Sequence, residues 1–328
     1  MKAYIFRRML YLIPMLLVVS IIAFIVIELP PGDVFTAMEM KLRLAGNRNA
    51  AEIAQVQRAI YGLDKPVLQR YFTWMGNILF RGDFGISIID RRSVMDLIRS
   101  RLPTTLLITS LSIIITWIVA IPIGIISAVK KYTFFDYLTT FFAFFGMAVP
   151  NFLLALLLML FVHNTFGWDI GGLVSQEFID APLSVAKILD AAKHLIIPVI
   201  VIAMSATAGL VRVLRSMVLD EMGKLYVLTA RAKGLSERVV IGKHILKIAM
   251  IPVVTTIGWL LPELISGETI VAIVMNLPTV GQLFLKSLQA QDSFVSGALI
   301  LILSTLTIIG SLLSDILLAI IDRRVVYN

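Results

Sequence analysis

The chain has 328 residues, of which 59% are apolar and only 15% charged, against roughly 25% charged in ordinary soluble domains. With a mean hydropathy of +0.92, that composition excludes a soluble enzyme, a disordered protein and a coiled coil. The absence of cysteine excludes disulfides, thiolate metal sites and cysteine catalysis, and the net charge of +8 is, on a membrane protein, a topology signal rather than a nucleic-acid footprint.

A spanning helix needs about 20 mostly apolar residues. Charge-free windows occur at Met9–Ile27, Leu102–Val129, Tyr137–Trp168 (interrupted by Pro150), Leu195–Val211 and Ser293–Ser314, and Ile248–Leu285 holds only Glu263 and Glu268. These windows predict an all-α membrane protein with six transmembrane helices. The first window is longer than a signal-peptide core, and Glu28–Asp33 offers no small-x-small cleavage site, so it is expected to stay as an anchor. The short basic stretches are Lys2, Arg7 and Arg8, then Lys130 and Lys131, then the 212–247 segment with eight basic residues against three acidic ones, then Arg323 and Arg324. All fall on one side of a six-span arrangement, and basic short loops face the cytoplasm. Both termini are therefore expected inside.

Residues 30–101 are expected outside, as a small helical extracytoplasmic segment between helices 1 and 2. Ile53, Val56, Ile60 and Leu63 recur at helical spacing in a run whose end signal is Gly62, and Leu68, Tyr71, Phe72, Met75, Ile78 and Leu79 do so in the next run. Such a segment packs on the bundle, and its surface is also free to meet an external partner.

No HExxH, GxSxG or phosphate-binding Gly-Lys-Ser/Thr loop is present. The chain carries no nucleotide site of its own, so uphill movement of a solute needs an ion gradient or a partner ATPase. Within the spans, Pro262, Glu263, Gly267 and Glu268 stand together. Pro and Gly break helices, and irregular backbone at membrane depth occurs where it is buried in protein or lines a wet cavity. The two acids are thus either paired in the bundle or lining a pathway. Asp315 reads as an end-of-helix charge.

The 212–247 segment is too long for a turn and too apolar for a solvated tail. A short helix from Leu225 ends at Gly234, and Ser236 is placed to cap a second helix from Glu237 to Ile248. Such a helix–Gly–helix unit fits another protein's groove or lies on anionic lipid.

The run Tyr226-Val-Leu-Thr-Ala-Arg-Ala-Lys-Gly-Leu-Ser236, followed by His244 and Ala249-Met-Ile-Pro-Val-Val-Thr-Thr-Ile-Gly258, resembles the cytoplasmic "EAA" loop of bacterial ABC-importer permeases. It is similar in particular to the first, B-type membrane subunit of oligopeptide/dipeptide/nickel importers. Leu29-Pro-Pro-Gly-Asp33, Tyr61-Gly-Leu-Asp-Lys-Pro66, Gly82-Asp-Phe-Gly-Ile-Ser87, Arg101-Leu-Pro-Thr-Thr105 and Asp292 fall where that family has similar words, so the likeness covers nearly the whole chain.

The resemblance implies a type I ABC-importer permease fold and a pore-forming, non-enzymatic subunit. Its implied partners are a second homologous permease, two cytoplasmic ABC ATPases, an extracytoplasmic solute-binding protein and membrane lipid, with no nucleic acid. No cofactor is implied, ATP being bound by the partner subunits. Tyr226, Leu228, Thr229, Ala230, Ala232, Gly234 and Leu235 would form the ATPase-coupling loop; Leu228, Thr229 and Ala230 take the three EAA positions, so the family's acid is replaced by Leu228. Pro278-Thr279 stands where the family has Pro-Gly, Ala272 where it has an acid, and Asp322-Arg323-Arg324 where it has Asp-Pro-Arg. Oligo- or dipeptides are the implied solutes, oligosaccharides the alternative, and an autonomous ion-coupled carrier the competing class. The expected layout is 1–29 for the N-terminus and first span and 30–101 for the outer segment. The transmembrane domain would be 102–325, with spans at 102–129, 137–163, 195–219, 248–275 and 293–321 and the coupling loop at 220–247. Residues 322–328 would form a cytoplasmic tail.

Overall fold

The computed structural model describes residues 2–29, 31–255 and 269–321, and among them every regular element is helical. Among the described residues four helices are long and apolar enough to cross a membrane: α1 (Lys2–Glu28), α5 (Val94–Val129), α8 (Val185–Met222) and α15 (Ser293–Ile321). A fifth crossing is available to α6 (Phe134–Ala148) with α7 (Asn151–Phe166), but this pair is bent by 102°. The sixth expected span, 248–275, passes through 256–268, outside the described residues.

The bend departs from the single span expected at 137–163, and its cause is local. Proline lacks an N–H and drives the residue before it out of the α region. Val149 accordingly stands at φ −82°, ψ 122°, and Pro150 becomes the first residue outside α7. By contrast α5 carries Pro103 and Pro122, and α8 carries Pro198, without interruption.

The bundle is built on the α5–α8 pair. The inward face of α5 is small and hydroxylated: Thr104, Thr105, Thr109, Ser112, Thr116, Ala120 and Gly124 are buried. Thr116 Oγ1 donates to the Ala203 carbonyl at 3.3 Å, and an added Cβ on Gly124 would stand 3.1 Å from Leu214. Small residues let helix backbones approach closely, which drives packing where lipid removes the hydrophobic difference. Two apolar clusters flank this seam, one around Ile108, Val199 and Met275, the other around Leu214, Val218, Val240 and Ile245.

One end of the bundle carries a cap of α2 (Val34–Leu44), α3 (Ala50–Ile60) and α4 (Val67–Arg81). Asp33 and Thr36 form a capping box on α2, and Arg58 from α3 donates Nε to the Asp33 carboxylate at 2.8 Å. Burial alone would raise the Asp33 pKa, but the hydrogen bonds from Arg58 and Thr36 outweigh it and hold the carboxyl below its usual range. The cap is tied to the bundle by a bidentate Arg70–Glu28 pair. Trp74 is packed with Phe24 and Leu301, and Ser87 Oγ donates to buried Asp292 at 2.6 Å.

The apolar periodicity of α3 and α4 only partly matches what they bury. α3 turns Ala50 and Ala54 inward and leaves Ile53, Val56 and Ile60 exposed. On α4, Trp74 is buried and Tyr71, Met75 and Ile78 pack beside it, while Leu68, Phe72 and Leu79 stay exposed. The close α2–α3 contact admits alanine-sized side chains, so the larger ones face outward.

At the opposite end, Arg8 of α1 pairs with Asp315 of α15 at 3.0 Å, giving that acid a partner on another helix. The same end holds the polypeptide between α8 and residue 255, where the loop singled out by sequence lies. From residue 269 the described chain is helical to 274 (α13), then forms α14 (Val280–Gln289) and α15.

Candidate functional site

α8 runs well past the apolar window and ends at Met222; α9 (Leu225–Ala232) follows after a two-residue corner. Its termination is a Schellman motif. The Leu235 N–H donates to the Ala230 carbonyl at 3.3 Å and the Gly234 N–H to the Arg231 carbonyl at 2.9 Å. Gly234 occupies the left-handed position with φ +78°, which glycine adopts without steric cost.

Two faces of α9 separate cleanly. Val227 and Ala230 are buried in the cluster with Leu214, Val218, Val240 and Ile245, so Ala230 anchors the helix and is not offered to a partner. Leu225 is 82% exposed and Leu228 50%. Thr229, Ala232 and Leu235 share that open surface, and the Thr229 hydroxyl donates back to the Leu225 carbonyl at 2.9 Å.

The segment after Gly234 is less regular than one continuous helix. α10 (Glu237–Val239) leads into a π-helical turn, Val240–Ile245, and then α11 (Leu246–Ala249) and α12 (Ile251–Thr255). Ser236 sits at the N-cap, but its side chain makes no capping bond; its carbonyl accepts from Val239 and Val240. π-turns are rare and concentrate at functional sites. Arg231 Nε donates to Glu237 at 2.7 Å, bridging α9 to α10 across Gly234.

Polar contacts brace this loop and the bundle end beside it, and their pairings were not evident from sequence. The Tyr226 hydroxyl donates to Glu221, an acid only 8% exposed at the end of α8, and lies 3.5 Å from the His244 carbonyl. Burial and the Glu221 carboxylate push the Tyr226 pKa up to about 12. One face of Tyr226 is thus committed inward. Farther back, Arg215 Nε and Nη2 donate to buried Asp136 at 2.7 and 2.8 Å, and Ser127 and the Tyr132 N–H donate to the same carboxylate. This latch joins the ends of α5, α6 and α8 beside the loop. Two signals could have exposed it: Thr133 stands three residues before Asp136 in N-cap register, and Arg215 interrupts an apolar helix.

Pro262, Glu263, Gly267 and Glu268, the expected pathway group, lie outside the described residues. Their flanks enter the core: Val253 on one side, and Val271, Ala272 and Met275 on the other, are buried. Ala272 is in the apolar cluster. Thr279 becomes the N-cap of α14, and the Val280 N–H donates to Thr105 Oγ1 at 2.9 Å. Among the described residues no group of three acidic or histidine side chains is placed to hold a metal ion.

Residues 120–327 match the family described as "Binding-protein-dependent transport system inner membrane component", and residues 1–109 match its N-terminal companion, "Binding-prot-dependent transport system membrane comp, N-term". The chain belongs to this family. It is similar, at 38% identity over the full length of both chains, to the oligopeptide transport system permease protein AppB of Bacillus subtilis. It is 33% identical, again end to end, to the glutathione transport system permease protein GsiC of Escherichia coli. The protein is therefore a multi-pass membrane permease, a transport subunit and not an enzyme, and the loop described above lies within the matched permease region.

Proposed function

We propose that this permease forms half of the pore of an ATP-driven, binding-protein-dependent importer of oligo- or dipeptides. The observation that carries the reading is α9, whose inner face is locked in the core while Leu225, Leu228 and Leu235 stand open. An apolar strip on a rigid helix is the geometry of a helix-in-groove contact. The partner there is an ABC ATPase, one of two in the complex, and it alone binds ATP. Tyr226, Leu228, Thr229, Ala232 and Leu235 contribute to coupling by position, Gly234 by its turn and Ala230 by anchoring. Peptide is preferred over oligosaccharide because the two relatives are named for oligopeptide and glutathione transport.

The arrangement we assign has six spans, both termini and the 220–247 loop in the cytoplasm, and the 30–101 cap outside, where a solute-binding protein delivers its load. Residues 102–325 form the transmembrane domain, paired with a second, homologous permease. Pro262, Glu263, Gly267 and Glu268 line or gate the path.

Labelled peptide uptake into vesicles holding the reconstituted complex tests the reading. Uptake is expected to require ATP on the loop side and loaded binding protein on the cap side, and to survive collapse of ion gradients. Uptake that follows the ion gradient and ignores ATP would identify a secondary carrier instead.

A further inference from the structure

Beside the Asp136–Arg215 latch, a cavity of about 220 Å³ opens between α6 and α8. Arg212, Arg215, Ser216 and Thr140 give it polar groups, and Ala143, Phe144 and Met147 are among its apolar ones. The Arg212 guanidinium stands 5.8 Å from the centre of the Phe144 ring. Among the described residues no carboxylate lies within ion-pair distance of Arg212, whereas Arg215 is neutralised by Asp136. The cavity therefore carries one uncompensated positive charge. Arg215 spends Nε and Nη2 on Asp136, and its Nη1 group adds donor capacity on the same side.

A cation in an apolar helix is costly unless an anion or the interface receives it. The surroundings say which anion. Phe141, Phe145 and Val213, each next in sequence to a lining residue, are exposed, as are the lining Phe144 and Met147; α8 is long and apolar enough to cross a membrane, and α6 is so together with α7. A small soluble anion would leave those side chains in contact with water. A phosphodiester with acyl chains attached satisfies both parts, and a net negative headgroup matches the net positive cavity. We infer that the α6–α8 cavity is a binding site for the headgroup of an anionic glycerophospholipid, held by Arg212 with Ser216 and Arg215, its chains lying along the exposed faces of α6 and α8. The site touches the base of α8 less than three turns from Met222, so its occupancy bears on the element that leads into the docking loop. The inference needs the family assignment and the spanning helices, not the identity of the solute or the sidedness of the cap.

The test uses the purified importer complex with both permeases present, equilibrated with mixed micelles of phosphatidylcholine with and without phosphatidylglycerol, and counts bound lipid by native mass spectrometry. The wild type is expected to retain phosphatidylglycerol selectively. Arg212→Gln is expected to lose about fivefold in retention, the weight of one basic residue at an anionic surface, and Arg212→Lys to keep most of it. Ala143→Phe, which fills the cavity and keeps both cations, is expected to lose retention as well, so the result does not hang on one variant. Arg238→Gln on the distant loop should change nothing, and excess inorganic phosphate should not displace the lipid. Equal retention by Arg212→Gln and wild type overturns the site. Displacement by inorganic phosphate assigns the cavity to a soluble anion and overturns the lipid. Separation of the two permeases by Arg212→Gln, with retention unchanged, assigns Arg212 to the subunit interface and equally overturns it.

Discussion

The backbone of Gly234 stands at φ +78°, and an added Cβ there would meet no heavy atom within 4 Å. The cost of substitution is therefore backbone strain alone, about 1–2 kcal/mol for a residue that avoids the left-handed region. Gly234→Val is expected to swing α10 away from α9 and to lower solute-stimulated ATP hydrolysis and uptake together, with solute binding by the external protein unchanged. Gly234→Asn, which tolerates that region, should retain most of the stimulation. ATPase assays of the complex in lipid check both. Tyr226 makes the complementary case. Tyr226→Phe leaves the buried Glu221 without its donor, an expected loss of about 1–3 kcal/mol. A raised phenol pKa means that folding favours the neutral form. Its contribution is complete below the ordinary value of 10.0 and is lost as pH rises through about 12. Thermal melts in detergent on the alkaline side should fall more steeply for wild type than for Tyr226→Phe.

At the scale of elements, the Asp136–Arg215 latch holds α6 against α8. Arg215→Ala strands a buried carboxylate, an expected loss of about 3 kcal/mol or more, read as a lowered melting temperature. Asp136→Asn with Arg215→Gln should recover much of it, because neither charge is then left alone. The cap responds to acid. Its Asp33 carboxyl is held low, so the stability it lends is present above the ordinary value of 3.8 and is lost as pH falls through its lower folded value. Hydrogen exchange in α2 and α3 is expected to quicken at that acidity in wild type, and to be quick at every pH in Arg58→Ala. These contacts also show what one sequence conceals. Gly234 was legible because a helix stop and a glycine coincide locally. Asp136 and Arg215 lie 79 residues apart, and no periodicity relates them. The inner face of α3 was misjudged because alanines pack more closely than isoleucines, so the apolar pattern pointed away from the contact. The place of the break at Pro150 was legible, but its 102° size was not, because a proline marks where a helix stops and not where the next one points.

For the whole molecule, the unpaired question is which end faces which compartment. A chain without cysteine accepts single probes cleanly. A cysteine at exposed Asn47 is expected to react with an impermeant thiol reagent in intact cells, and one at exposed Lys233 only after permeabilisation; the reverse pattern would invert the assigned orientation. The helical, membrane-spanning class was open to composition alone, since hydrocarbon thickness sets span length. The hydroxyl-lined seam between α5 and α8 was not, because charge-free windows weigh serine and threonine only for what they lack.

The pairing of α1 with α15 has a consequence for biogenesis. Arg8 meets Asp315 at one end, and Phe24 meets Leu301 at the other, yet the two helices are separated by almost the entire chain. During synthesis α1 enters the bilayer long before its neighbour exists, and such distant contacts form late. Until α15 is delivered, the partner α1 has is the cap helix α4, through Arg70–Glu28 and the packing of Trp74 with Phe24, and the face that α15 will cover stays bathed in lipid. Packing of α15 on α1 is then a late step of assembly, and a nascent chain stalled before Ser293 would present α1 to membrane quality control with that face uncovered.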